Sequence, residues 1–152
     1  MSTGQTAPAD RTAVDLSLLI LRVIVGVIFM AHGAQKLLGV WGGEGLAATV
    51  EKMGGGPLPY LVTVGEFFGG IGLIFGFLSR FSAASLIVIM IGAIVQVHAK
   101  NGFFLHKGGF EYNLSLIGLL LPILLCGPGR FSIGQYFLPK SSRTSRPLIG
   151  LE

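Results

Sequence analysis

Arg22, His32, Lys36, Glu66, Gln96 and Glu111 are polar or ionisable side chains set in or beside long apolar runs. Charge inside a membrane span is costly, so such a residue is a functional candidate by default. A His or Lys at that depth can hydrogen-bond a quinone carbonyl, and a carboxylate can carry the proton that accompanies two-electron reduction. Glu66, His32, Lys36, Glu111 and Gln96 are therefore the candidate ligand or proton site, and Arg22 with Glu66 the candidate structural ion pair. Plainer roles compete: Lys36 can snorkel to the headgroups, His32 can donate to a backbone carbonyl, and Gln96 can be interhelical glue. His98 falls about 160° from Gln96 at the α-helical 100° per residue, which predicts an interfacial position. Asn113 reads as a loop or cap contact, and Cys126 as an inert small apolar residue. No grouping has zinc-ligand spacing, so no metal site is expected. No Gly run sits between a strand and a helix as a phosphate loop requires.

Four apolar stretches must position these residues. A bilayer core of about 30 Å takes roughly 20 apolar residues in helix, and Asp15 to Leu38, Pro59 to Leu78, Phe81 to Ala99 and about Phe110 to Cys126 approach that length. Asp15 is placed to cap the first, Pro59 suits a first helical turn, and Gly127-Pro128-Gly129 stops the fourth. At 100° per residue, Arg22, Gly26, Phe29, Gly33 and Lys36 lie within about 40° of one line, with His32 at its edge. The second span carries Glu66 beside Gly65, Gly69, Gly72 and Gly76, the small-residue spacing that lets helices approach. The third aligns Ser82, Ser85, Gly92 and Gln96, and the fourth Glu111, Ser115, Gly118 and Pro122. The expected fold is an all-α four-helix transmembrane bundle over residues 15–138, with a polar tail at 1–14 and a basic tail at 139–152.

Composition agrees. The chain holds 11 Lys and Arg, 7 Asp and Glu, 51% hydrophobic residues and 24 Gly, with mean hydropathy +0.75. A charged fraction of 12% is about half that of a soluble domain, which excludes a free-standing soluble protein and a disordered chain. The basic residues do not gather into a stripe, so no nucleic-acid partner is expected. A single cysteine forms no internal disulfide and no dithiol. Four spans put both termini on one face, side A, with Arg11, Arg80, Arg130, Lys140, Arg143 and Arg146. Side B holds Lys36, Lys52, Lys100 and Lys107. The positive-inside rule makes side A cytoplasmic. Between the first two spans, Gly45 to Met53 reads as a short surface helix beside Trp41.

Leu21-Arg22, His32-Gly33 and Lys36-Leu37 in the first span, and Gly65-Glu66 with Gly69 and Gly72 in the second, form a recognisable order. It continues through Leu78-Ser79-Arg80 with Ala83-Ala84, then Gly108-Gly109-Phe110-Glu111-Tyr112, and closes at Gly127-Pro128-Gly129-Arg130-Phe131-Ser132-Ile133. Over roughly Leu16 to Tyr136 the chain resembles the DoxX family of small bacterial membrane proteins. That family usually carries an Asp two residues after the closing Ser; here the position is Gly134, so no role of that Asp carries over. The resemblance implies a four-helix protein of the bacterial cytoplasmic membrane. The family takes its name from a subunit of a thiosulfate:quinone oxidoreductase, and other members are linked to oxidative-stress complexes.

Three functions fit the sequence. One is the membrane subunit of a quinone-linked oxidoreductase, with quinone as its ligand and a soluble or membrane oxidoreductase as partner. A second is a non-catalytic anchor or hydrophobic-ligand-binding module, with self-association open to it. The third is a small transporter with Glu66 as a proton-coupled site, for which four helices are few and no inverted repeat is visible.

Overall fold

The computed structural model describes residues 8–134, and among them every regular element is helical. α1 spans Pro8–Leu38, α2 Gly45–Lys52, α3 Leu58–Phe75, α4 Ser79–Ala93 and α5 Glu111–Cys126. α4 continues without a break through a π-helical turn, Ile94–His98, and a 3₁₀ turn, Ala99–Asn101. α1, α3 and the Ser79–Asn101 helix are long and apolar enough to cross a membrane, and α5 is a shorter apolar helix of 16 residues. At 1.5 Å per residue α5 covers about 24 Å. The molecule is a helical membrane bundle, and α2 is the short helix expected between the first two spans.

α1 packs along α3, α4 lies between α3 and α5, and α5 returns to α1. Val25, Phe29, Leu73, Ala83, Leu86, Met90, Leu116, Leu120 and Ile123 fill the centre. Ile24, Phe68, Val88, Val95 and Leu125 face outward, where lipid is as apolar as they are.

α1 and α3 approach each other closely at their glycines. A Cβ on Gly26 would lie 2.7 Å from the Gly70 carbonyl oxygen, and one on Gly70 would lie 2.5 Å from the Met30 nitrogen. Gly69 and Gly72, expected at the tight backbone contact, instead face Leu86 and Ser82 of α4 and line an apolar groove.

Two expectations about element ends and faces are corrected. α1 begins at Pro8, well before Asp15; the Asp15 carboxylate does not cap it but accepts the Arg130 N–H at 3.0 Å, tying α1 to the closing segment. On α5 the inner face is Asn113, Leu116, Leu120 and Ile123, not Glu111, Ser115, Gly118 and Pro122. Ser115 donates to the Glu111 carbonyl one turn back at 2.9 Å, so it needs no partner helix. The packed face of α5 is thus mainly its row of large apolar residues.

Candidate functional site

Arg22 belongs to the side A end. It is 1% exposed, and its guanidinium donates to the carbonyls of Leu73 and Ile74, each at 3.2 Å, and of Phe131. Leu73 and Ile74 belong to the last turn of α3, whose carbonyls carry the negative end of the dipole; that of Leu73 also accepts the Gly76 N–H at 3.2 Å. Ile133 and Gly134 donate to Phe75 and Gly76 beside it. Gly76 ends α3 in the left-handed region at φ 72°, and a Cβ there would lie 2.5 Å from that of Ser132. Arg22 therefore fastens the Phe131–Gly134 segment to the end of α3.

The expected Arg22–Glu66 pair is not formed. Glu66 lies seven residues before Leu73 on α3, about 10 Å along the axis from the Arg22 contacts. Its partner is Lys36, whose Nζ donates to Oε1 at 2.7 Å and to Oε2 at 2.6 Å. The Glu66 side chain is 4% exposed and that of Lys36 33%. The carboxylate is buried near the middle of α3, and the lysine reaches it from the last turn of α1.

This pair forms part of the wall of a cleft of about 240 Å³ lined also by Ile28, Phe29, His32, Met90, Ala93, His98, Leu105, Gly109, Tyr112, Asn113 and Leu116. Ile28, His32 and Lys36 recur every four residues, so α1 presents them as one row. His32 and Leu105 are exposed and mark the mouth. The His32 ring lies 6.3 Å from that of Tyr112.

Both imidazoles are fixed in the same way. His32 Nδ1 is 2.9 Å from the Ile28 carbonyl oxygen, and His98 Nδ1 is 2.7 Å from that of Gly108. A carbonyl only accepts, so each Nδ1 carries a proton. In the uncharged ring Nε2 then holds the lone pair. Asn113, buried on α5, donates to the Met90 thioether at 3.4 Å. Sulfur is a weak acceptor, so the amide retains hydrogen-bonding capacity for the cleft.

Of the residues singled out by sequence, the cleft gathers His32, Lys36 and Glu66. Gln96 lies outside it, on the wall of a second cavity across the Lys36–Glu66 pair. Glu111 is also outside: its Oε2 accepts the Leu105 N–H at 2.9 Å, and its own N–H donates to Phe103 at 2.9 Å. A carboxylate in the first turn of α5 also suits the helix dipole, so Glu111 braces the loop that roofs the cleft. His98, Tyr112 and Asn113 are the members sequence reasoning missed. The first was discounted for lying opposite Gln96; that offset holds, but it is His98 that lines the cleft and Gln96 that lies off it. The apolar row Leu116, Leu120 and Ile123, extended back one turn to Asn113, was the available signal for α5. No group of His, Cys, Asp and Glu among the described residues is arranged to hold a metal ion.

A family model described as DoxX matches residues 17–99. The chain belongs to the DoxX family. It is 31% identical over 123 residues to "Inner membrane protein YqjF" of Escherichia coli, covering 80% of this chain and 92% of that one. It is 31% identical over 113 residues to "Putative oxidoreductase CatD" of Bacillus subtilis, covering 72% and 79%. A third DoxX relative, "Uncharacterized membrane protein Rv3486" of Mycobacterium tuberculosis, is 28% identical over 150 residues, covering 88% and 91%. No solved structure matches the chain.

Proposed function

We propose that this DoxX protein binds the ring head of a lipid-soluble quinone or hydroquinone in the side B cleft, as the quinone-handling membrane subunit of an oxidoreductase. The observation that carries the reading is the pair of imidazoles, each anchored through Nδ1, lining one cleft with the Lys36–Glu66 pair. An apolar cavity of about 150 Å³ accommodates benzene, so about 240 Å³ has room for one substituted ring. Two Nε2 lone pairs complement the two hydroxyls of a hydroquinone. Its oxidation breaks two O–H bonds: each imidazole takes one proton, and the electron pair goes to an oxidised redox centre on the partner protein. The reverse transfer reduces the quinone. With one cysteine the chain has no dithiol of its own, so the partner supplies or receives the electrons. The oxidoreductase name of the Bacillus relative supports the same class. The proposed location is the bacterial cytoplasmic membrane, with both termini cytoplasmic.

The test is calorimetric titration of the purified chain with 2,3-dimethoxy-5-methylhydroquinone, a head without a tail. The expected result is saturable binding, weakened by about 1 kcal/mol when His98→Ala or His32→Ala removes one hydrogen bond. Absence of saturable binding to the parent overturns the proposal. Binding without electron transfer to any partner redox protein favours the non-catalytic ligand-binding module.

A further inference from the structure

A second cavity, of about 510 Å³, lies on the other side of the Lys36–Glu66 pair. Its walls are apolar side chains of α3 and α4, among them Leu61, Val62, Val88, Ile89 and Val97, with Met53 closing the α2 end. Lys36, Glu66, Ala93 and His98 line both cavities, so the two meet at the ion pair. Leu61, Val88 and Val97 are exposed, which places the mouth of this cavity on the outer surface of the bundle between α3 and α4.

We infer that this groove holds the hydrocarbon tail of the ligand whose ring head occupies the polar cleft, so that the bound molecule straddles the Lys36–Glu66 pair. The proposal rests on the ring-binding reading above and extends it to the ligand's tail. The shared floor selects the occupant. A plain acyl chain filling the groove would lay methylenes against a lysine and a carboxylate, which forfeits their polar solvation. An amphiphile instead sets its polar group at the pair and its chain along the apolar walls. The groove also opens where a membrane-dissolved molecule arrives, so the tail need not leave lipid for water.

Gly92 provides the probe of this groove. A Cβ there would meet only Gln96 Nε2, at 3.8 Å, so a side chain can grow into the cavity without striking the backbone. The experiment reconstitutes the full chain in lipid nanodiscs, under reducing conditions, with a hydroquinone bearing a decyl tail that ends in a photoactivatable diazirine. After irradiation, cross-linked peptides are mapped by mass spectrometry. Cross-links are expected in residues 58–62 and 88–97, suppressed by excess decyl-tailed hydroquinone lacking the diazirine. Gly92→Phe is expected to abolish them while leaving binding of the tail-less hydroquinone at its parental affinity. Cross-links spread over the lipid-facing surface without competition, or unchanged in Gly92→Phe, overturn the groove alone. Failure of the tail-less hydroquinone to bind the parent chain overturns both this inference and the proposed function.

Discussion

Glu66 tolerates burial because Lys36 reaches both of its oxygens. Removing one partner of a buried pair costs about 3–5 kcal/mol, and the partial exposure of Lys36 places this pair near the lower limit. Lys36→Met is therefore expected to lower the detergent melting temperature clearly, and the double change Lys36→Met with Glu66→Leu to restore much of it. A single variant that melts with the parent would mean the pair contributes no stability. The sequence placed Arg22 and Lys36 on one face of α1, and Arg22 was the partner expected for Glu66. What it lacked was the axial register of α1 against α3. Fourteen positions apart, the two cations are separated by about 21 Å along the helix, so only one can be level with Glu66. The other, Arg22, meets the carbonyls of the last turn of α3.

At the scale of elements, hydropathy revealed the long helices because the bilayer dictates their length. Faces were legible where steric need was sharp: Gly26 and Gly33 of α1 lie on the face packed against α3. Gly70 is buried in that contact, although the sequence drew attention to the neighbouring row at Gly65, Gly69 and Gly72. Gly70→Leu is expected to cost at least the 1–3 kcal/mol typical of overpacking, about the upper figure, because backbone cannot yield as a side chain can. Thermal unfolding of Gly70→Leu beside Gly69→Leu checks this, with the former the less stable. The π turn was not legible, since Ile94–His98 has the same apolar character as an α-helical turn. Deleting Val95, whose side chain is exposed, should return the segment to α-helix and leave His98 beside Gly108, because seven α-helical residues turn the chain about as far as eight that include a π turn. Circular dichroism is expected to show a folded bundle, and calorimetry a hydroquinone affinity close to that of the parent.

At the scale of the whole molecule, the bundle divides its polar groups between two ends. Arg22 and the closing segment fasten the side A end, while Lys36, Glu66, His32 and His98 form a site at the side B end. The proposed orientation, with side A cytoplasmic, puts the cleft toward the outer leaflet. In a Cys126→Ser background, Lys107→Cys is expected to react with a membrane-impermeant maleimide in intact cells and Thr6→Cys only after permeabilisation; the reverse pattern inverts the orientation. The central claim is that the side B cleft holds a quinone-class ring, and extraction and mass spectrometry of the detergent-purified chain test it most directly. A prenylated quinone is expected to co-purify with the parent and to be lost from the His32→Ala, His98→Ala double variant. A quinone content no higher than that of an unrelated four-helix membrane protein, or one unchanged in the double variant, would contradict the account.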